Sequence, residues 1–132
     1  MTNTIRTTFD NINKASTDEE KVEALKNGLS NGMINLLRGA FNSDVTYNLS
    51  IPEYTRRDPK DPGVQPLEEA ALLLQFFNTS SSLSVEDKTN LLKNTLETMN
   101  NADDDLFLAV IAKNVPNLTK EIVDQAFPGL LH

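Results

Sequence analysis

Apolar residues recur at helical spacing from the start of the chain. Ile5, Phe9 and Ile12 fall at positions i, i+4 and i+7, which lie on one face of a helix. Thr17 or Asp18 can cap a second helix. The predicted inner side of that helix consists of Val22, Leu25 and Leu29. The chain is therefore predicted to open with two short amphipathic helices.

Glycines separate and then interrupt the next helix. Residues 28–32, Gly-Leu-Ser-Asn-Gly, predict a break, and the apolar residues of segment 33–41 predict a third helix after it. Gly39 lies inside that helix, where glycine costs up to about 1 kcal/mol relative to alanine. The position therefore indicates close packing or a surface that faces a ligand.

The helical pattern stops between residues 42 and 66. This segment contains five helix breakers: Pro52, Pro59, Pro62, Gly63 and Pro66. A loop of this length is uncommon in a compact domain and is usually functional or mobile.

Helices and breaks alternate in the second half of the chain. Pro66 suits the first position of a fourth helix, and the apolar sequence of residues 67–77 predicts that this helix is central and buried. Ser84 and Asp87 form an acidic variant of a capping box at the start of a fifth helix. The predicted inner face of that helix consists of Val85, Leu92, Leu96 and Met99.

An apolar run over residues 106–112 fits either a buried strand or a buried helix. Only residues 45–51 resemble a partner strand, so a helix is the better interpretation. A break at 100–105 precedes it, Pro116 and Asn117 stop it, and Thr119 caps a short last helix. We predict an all-α fold, in which a single domain of residues 1–132 forms an irregular bundle of about six or seven helices with one long Pro/Gly-rich loop.

Composition limits the kinds of site that one chain can form. There is no cysteine and a single histidine, His132, so we expect no disulfide, no thiolate metal site and no histidine-based catalytic site. No apolar run reaches the roughly 18 residues of a membrane-spanning helix, and residues 1–6 lack the apolar core of a secretory signal. We therefore expect no membrane partner and an intracellular protein.

The charge is divided unevenly along the chain. Residues 1–60 hold eight basic and eight acidic residues, whereas residues 61–132 hold four basic and eleven acidic residues, a net charge of −7. Neutralisation of phosphates supplies most non-specific affinity for DNA, so any phosphate contact is expected from the first half. The positive charge there gathers beside Tyr54, at Arg56, Arg57 and Lys60. This stretch is either a phosphate-binding loop or a solvated connector whose charges are cancelled by Glu53, Asp58 and Asp61.

No pattern of residues indicates catalysis. Asp103, Asp104 and Asp105 form the densest acidic cluster, but consecutive carboxylates diverge on a helix, and a calcium loop would need an intervening glycine. The helix dipole is an adequate reason for acidic residues at a helix start. The serines of residues 80–82 have no base near them in sequence, and there is no phosphate-binding glycine loop. We expect no enzyme activity, no metal and no cofactor.

The order of elements resembles that of a known domain. Helical pairs, an irregular Pro/Gly loop, an apolar helix and a second long helix precede the sequence DDDLFLAVIAKNVPNLTKEIVDQAFPGLL. This order resembles the N-terminal helical domain of phage-type ATP-dependent DNA ligases, which ends with an Asp-rich turn, an apolar helix, a capped short helix and an aromatic-Pro-Gly-Leu-Ile exit. The similarity spans about Glu19 to Leu131, and its motif-like part is Phe127 to Leu131. The chain is also similar to small helical proteins of large tailed phages that infect marine cyanobacteria.

In the ligases this domain grips duplex DNA through backbone contacts from loops and helix N-termini, without reading sequence. The resemblance implies eight DNA-contacting residues: Tyr54, Arg56, Arg57, Lys60, Gly63, Asn117, Thr119 and Lys120. Two features depart from the ligase pattern, since Asn117 lies in a turn where the ligases have a glycine and residues 61–132 are strongly acidic.

Two hypotheses about function follow. The first is a non-catalytic phage accessory protein that binds duplex DNA weakly and without sequence preference. The second is an acidic protein-interaction module for host takeover or virion assembly, which binds a basic host or phage protein. The host cytoplasm is the expected location, and a place in the virion is also open.

Overall fold

The computed structural model describes residues 4–47, 51–58 and 60–131, which form eight helices and no β-strand. The helices are α1 (Ile5–Lys14), α2 (Asp18–Asn27), α3 (Asn31–Phe41), α4 (Leu67–Leu72), α5 (Leu74–Phe77), α6 (Val85–Thr98), α7 (Asn101–Ile111) and α8 (Lys120–Ala126). The prediction of an all-α fold is confirmed. The residues between 42 and 66 that the structure describes contain no helix, as the proline content predicted.

Helix α3 is the centre of the bundle. It packs against α4, α5 and α7, while α1 packs on α2 and α4, and α2 packs on α8. This position requires apolar residues on most of its surface, and Met33, Leu36 and Leu37 are fully buried. Below it, the rings of Phe77 and Phe107 meet edge to face, with centroids 6.0 Å apart, and so join α5 to α7.

Side-chain caps set where several helices begin. Thr17, Ser84 and Thr119 each accept a hydrogen bond from a backbone N–H in the first turn, so these three predicted caps are confirmed. The Ser84 hydroxyl accepts from the Asp87 N–H at 3.1 Å. Pro66 is the N-cap of α4, one position before the predicted one, because its extended backbone (ψ 150°) lies outside the helix.

The predicted central helix over residues 67–77 is divided in two. Leu73 ends α4 and precedes α5, so the run is not one continuous helix. Its inner residues are buried, but Leu72 and Phe76 are 41% and 40% exposed. The prediction of a wholly buried helix was therefore wrong, because this helix lies at the side of the bundle and covers α3 with one face only.

Two residues predicted to lie inside are exposed. Leu29 follows the end of α2 and is 42% exposed. Val85 is the first residue of α6 and is 57% exposed, because the helix meets the bundle only from its fourth residue. There the stem of Lys88 is buried, and its Nζ donates to the Asn78 carbonyl at 3.0 Å.

Several predicted breaks are shorter than expected. Gly32 lies within α3, where an added Cβ would be 2.9 Å from the Glu68 carbonyl oxygen. Asn100 caps α7, so Asp103 to Asp105 belong to the helix and the predicted break at 100–105 was wrong. Residues 106–111 lie in α7, which ends at Ile111, before Pro116. The prediction that this apolar run forms a helix rather than a strand is confirmed.

Gly39 is a position of close packing. A Cβ there would lie 2.5 Å from the Tyr47 hydroxyl oxygen, and that hydroxyl donates to the Gly39 carbonyl at 3.1 Å. Burial raises the pKa of Tyr47 above its ordinary value.

Within the described residues, no helix has the length and apolar character needed to cross a bilayer.

Candidate functional site

The second part of the long loop is held against α6 and α7. We call residues 51–58 and 60–66 the strap. The Thr55 N–H donates to Glu97 Oε2 at 3.0 Å, and the N–H groups of Val64 and Gln65 both donate to the Thr98 carbonyl, at 2.8 and 3.0 Å. The predicted connector is therefore attached along the end of α6, although the prolines prevent it from forming a helix.

Arg56 pairs with the first turns of α7. Its Nη2 lies 3.1 Å from Asp104 Oδ1, 3.0 Å from Asp105 Oδ1 and 3.0 Å from the Asn101 carbonyl oxygen. The Asp104 side chain has no exposed surface, whereas that of Arg56 is 46% exposed. The guanidinium therefore lies at the edge of the bundle and compensates a carboxylate beneath it.

Arg57 bonds to a residue of the strap and to α6, whereas Arg56 bonds to α7. Its Nη1 lies 3.0 Å from Asp61 Oδ2, and its Nε donates to the Glu97 carbonyl at 2.8 Å. The Gly63 N–H donates to Asp61 at 2.8 Å, and this bond, together with Arg57, lowers the pKa of Asp61. Asp61 thus cancels the charge of Arg57, as the solvated-connector interpretation predicted for this residue.

Sequence reasoning missed Arg6, which completes the group of charges around the start of α7. Its Nη1 lies 2.8 Å from Asp103 Oδ1, and its Nε lies 3.8 Å from Asp10 Oδ1. We call Arg6, Arg56 and Asp103 to Asp105 the arginine–aspartate cluster. No sequence signal links Arg6 to Asp103, because the pair is 97 residues apart and forms only through tertiary packing.

Burial dominates the ionisation of the two inner aspartates. Burial is the largest influence on Asp103 and raises its pKa, Arg6 lowers it by its charge and its hydrogen bond, and Glu68 and Asp10 raise it, so that the pKa is raised on balance. Burial also raises the pKa of Asp104, against the lowering effect of Arg56 and with a further raising effect from Asp105. Keeping these two carboxylates ionised therefore costs free energy in the folded protein, and the arginine beside each one reduces that cost.

Tyr54 lies close enough to the cluster for Asp104 and Arg56 to affect its ionisation. Burial raises the pKa of Tyr54, and so does the charge of Asp104, so this hydroxyl stays protonated at neutral pH. Among the described residues, no three or more histidine, aspartate or glutamate side chains are grouped so as to hold a metal ion. Asp103 and Asp104 are instead committed to arginines.

The second group of predicted DNA contacts lies before α8. Asn117 adopts a left-handed conformation, with φ of 65°, and its Nδ2 donates to Asn13 Oδ1 at 2.6 Å. The Thr119 hydroxyl accepts from the Ile122 N–H as the cap of α8, and Lys120 is exposed. Asn117 thus takes a left-handed conformation, which favours glycine and which asparagine can also adopt.

A cleft of about 230 Å³ between α1 and α7 connects the cluster to this turn. Its lining residues are Arg6, Phe9, Asp10, Asn13, Ala102, Asp105, Leu106, Ala109 and Pro116. Asp105 is bound to Arg56, and Pro116 immediately precedes Asn117 in the chain. Asp105, a partner of Arg56, and Pro116 therefore border one cleft, whereas Arg57 and Gly63 lie against the end of α6.

A separate apolar groove of about 320 Å³ lies between α4 and α6. We call it the α4–α6 groove, and its lining residues are Val64, Gln65, Glu69, Leu73, Leu91, Asn94, Thr95 and Thr98. The groove was not predicted from the sequence. The sequence feature that could have indicated the groove is the run 67–77, because it is apolar on nearly every side. A helix of this kind that packs by one face leaves apolar residues on its other face.

Comparison of the chain with known protein families, with curated proteins and with solved structures gives no match. The resemblance to the ligase domain stays a prediction. Function must therefore be argued from the arrangement of the residues themselves.

Proposed function

We propose that this chain is a non-catalytic protein-interaction module whose acidic second half binds a basic partner. One observation carries the proposal: Arg56 and Arg57 are paired with carboxylates of their own chain. A phosphate would have to displace Asp104 and Asp105 from Arg56, and would leave the buried Asp104 charge uncompensated.

Part of the acidic surface of the second half lies outside the ion pairs of the described residues. Among the described residues, none of four exposed carboxylates of the second half forms an ion pair: Glu69, Glu86, Asp87 and Glu121. Asp103 and Asp104 are inside the arginine–aspartate cluster and do not contribute to a docking surface. The negative potential that a partner would meet therefore comes from the outer faces of α4, α6 and α8.

The test is capture of a stoichiometric partner from a cell lysate, with the captured amount compared between matched variants. One variant neutralises the second half: Glu69→Gln, Glu86→Gln, Asp87→Asn and Glu121→Gln. The control neutralises four exposed first-half carboxylates, two of them also in the first turn of a helix: Asp18→Asn, Glu19→Gln, Glu23→Gln and Asp44→Asn. We expect a large loss of capture for the second-half variant alone, and equal capture by both variants would count against the proposal.

Weak, sequence-independent binding of duplex DNA is the second candidate. It is supported by the left-handed conformation of Asn117, with φ of 65°, which glycine adopts readily. Lys60 and Lys120 are exposed and form no ion pair with a described residue, so their charges face solvent. Two such cations support only weak binding that fades with salt.

Titration of labelled duplex at low salt tests this candidate. Lys60→Ala with Lys120→Ala is the informative variant, because changing Arg56 or Arg57 would also disturb the strap. Lys14→Ala with Lys26→Ala is the control, since both of these lysines are exposed on α1 and α2. DNA binding is supported if the first variant alone weakens the complex, and is excluded if the unmodified chain leaves the duplex free.

A further inference from the structure

We propose that a cleft beside Arg38 binds a small monocarboxylate with a short apolar tail. We call it the Arg38 cleft. It is bordered by α3, α5 and the loops that follow these two helices, and its volume is about 250 Å³. The inference is independent of the proposed function, because this cleft takes an anion whereas the proposed partner is basic.

Arg38 differs from the other arginines of this acidic chain. Arg6, Arg56 and Arg57 each pair with a carboxylate, whereas no described residue forms an ion pair with Arg38. Arg38 is exposed, and its Nε donates to the Leu130 carbonyl at 3.2 Å. A carbonyl has no net charge, so the guanidinium keeps its positive charge at the edge of the cleft. Its planar set of donors matches the two oxygens of a carboxylate.

The surroundings of the Arg38 cleft are basic. The α1–α7 cleft and the α4–α6 groove both have acidic lining residues, whereas none of the described lining residues of the Arg38 cleft is acidic. Lys88 Nζ donates to the carbonyl of Asn78, a lining residue, at 3.0 Å. Lys113 Nζ lies 6.0 Å from the ring centroid of Tyr47, another lining residue. Burial lowers the pKa of Lys113, so an anion nearby would stabilise its charged form.

The local charges leave a small positive excess. Lys88 and Lys113 donate to the C-cap carbonyls of α5 and α3, and the C-terminus of a helix carries at most about half a negative charge. Asp44 is exposed beside Val45 and contributes one full negative charge. With Arg38 included, the excess is about +1, which matches a monocarboxylate better than a phosphate group of about −1.5 to −2.

The size and lining of the cleft limit the ligand to a few atoms. Its volume lies below the range of about 300–1,000 Å³ that holds drug-sized ligands. Val45, Leu74 and the ring of Tyr47 supply apolar walls, and Ser80 supplies a hydroxyl group. A carboxylate on Arg38 with a short hydrocarbon tail against the apolar walls fits these limits.

A titration of the isotope-labelled full chain, followed by NMR, tests the proposal. The probe is sodium butyrate, a monocarboxylate with a short tail. Butyramide, its neutral counterpart, and sodium chloride at equal ionic strength are the controls, and inorganic phosphate tests the choice of anion. We expect butyrate alone to give saturable shifts of the Gly39, Tyr47 and Ser80 amide signals, with a Kd on the order of 1 mM.

Two variants change the cleft by different means. Arg38→Gln removes the guanidinium charge. Ser80→Asp places a carboxylate on the wall of the cleft and leaves the Arg38–Leu130 hydrogen bond in place. Each is expected to weaken butyrate binding by at least about tenfold, since a hydrogen bond between charged groups is lost or opposed. Lys26→Gln is the control and should bind normally, because Lys26 is an exposed cation on α2.

The absence of saturable shifts with butyrate, equal shifts with butyramide, or unchanged affinity in either cleft variant would overturn the site. Tighter binding of inorganic phosphate than of butyrate would overturn the assignment to a monocarboxylate. The spread of the amide signals shows whether each variant is folded. None of these results depends on the acidic surface of the second half, so a failure here leaves the proposed function standing.

Discussion

Arg56 Nη2 lies 3.1 Å from Oδ1 of Asp104, a carboxylate with no exposed surface. The other oxygen, Asp104 Oδ2, is also buried and has no hydrogen-bond partner among the described residues. Asp104 therefore carries a buried charge whose compensation depends on a residue of the strap. This pair joins the long loop to α7, in addition to the hydrogen bonds that hold the strap to α6.

Replacement of Arg56 by methionine is expected to destabilise the protein more near pH 7 than near pH 4. At neutral pH it leaves the buried Asp104 charge uncompensated, which is costly, whereas a protonated carboxyl needs no cation. Urea unfolding at both pH values measures the difference. The control is Arg38→Met, because Arg38 is exposed and its Nε donates to the Leu130 carbonyl at 3.2 Å.

A double-mutant cycle separates this pair from a general effect of lost packing. Asp104→Asn removes the charge that Arg56 compensates, so the double variant is expected to be clearly more stable than the sum of the two single effects. Strict additivity of Arg56→Met and Asp104→Asn would show that the two side chains do not interact.

The inner aspartates are expected to favour the folded state as the pH falls. The pKa values of Asp103 and Asp104 are raised in the folded protein, so the folded chain binds these protons more tightly than the unfolded chain does. Their contribution to stability therefore grows as the pH falls through their folded pKa values towards the ordinary value of about 3.9. Asp61 has the opposite effect on stability. Its pKa is lowered in the folded protein, so its contribution to the free energy of unfolding is lost as the pH falls.

Asp104→Asn isolates this effect of acid. The unmodified protein is expected to gain stability relative to the variant between about pH 7 and about pH 4. Chemical unfolding at a series of pH values measures the difference. A relative loss for the unmodified protein on acidification would mean that the pKa of Asp104 is lowered by Arg56 rather than raised by burial.

Gly63→Ala is expected to detach the strap from the junction of α6 and α7. Gly63 has φ of 77°, and an added Cβ would lie 2.7 Å from the Asn100 nitrogen and 2.9 Å from the Met99 carbonyl carbon. The strained backbone and these contacts together cost about 3 kcal/mol of unfolding free energy. Chemical denaturation measures the loss.

Gly129→Ala is the matched control for that change. Gly129 has φ of 87°, but nothing lies within 4 Å of the added Cβ. Only the conformational cost remains there, at about 1 kcal/mol. Equal losses for Gly63→Ala and Gly129→Ala would show that the strap does not approach the helix junction closely.

Phe107→Ala is expected to lower the free energy of unfolding by about 3–5 kcal/mol, as for other fully buried aromatic residues. Phe107 is fully buried against Phe77, so its removal leaves a cavity between α5 and α7. Phe76→Ala is the control on the neighbouring residue of α5, and its partial exposure limits the expected loss to about 1 kcal/mol. Similar losses for the two variants would contradict the packing of α5.

The features that could be predicted from the sequence depend on residues close together in the chain. The Ser84–Asp87 and Thr119–Ile122 hydrogen bonds join residues three positions apart, so their sequence pattern is sufficient to predict them. The inner face of α1 follows from periodicity alone. The absence of a helix in the described part of the loop follows from the geometry of proline.

The features that could not be predicted depend on tertiary packing. The partners of Arg6 and Arg56 are 97 and 48 residues away, and many acidic residues in this chain were equally plausible partners. Val85 fits the apolar periodicity of α6 but is exposed. The helix contacts the bundle from its fourth residue, where the stem of Lys88 is buried instead. The α4–α6 groove depends on which face of a largely apolar helix meets α3, and the sequence pattern does not specify that face.

Helices on both sides of the long loop are interleaved, because α3 packs on α4 and α7, and α2 packs on α8. A protease that cleaved a single peptide bond within the strap would therefore produce two fragments, neither of which contains a complete core. The nicked protein would stay together in native gel filtration and separate into two bands only in detergent. Complementation between separately expressed fragments is a direct consequence of this order of packing.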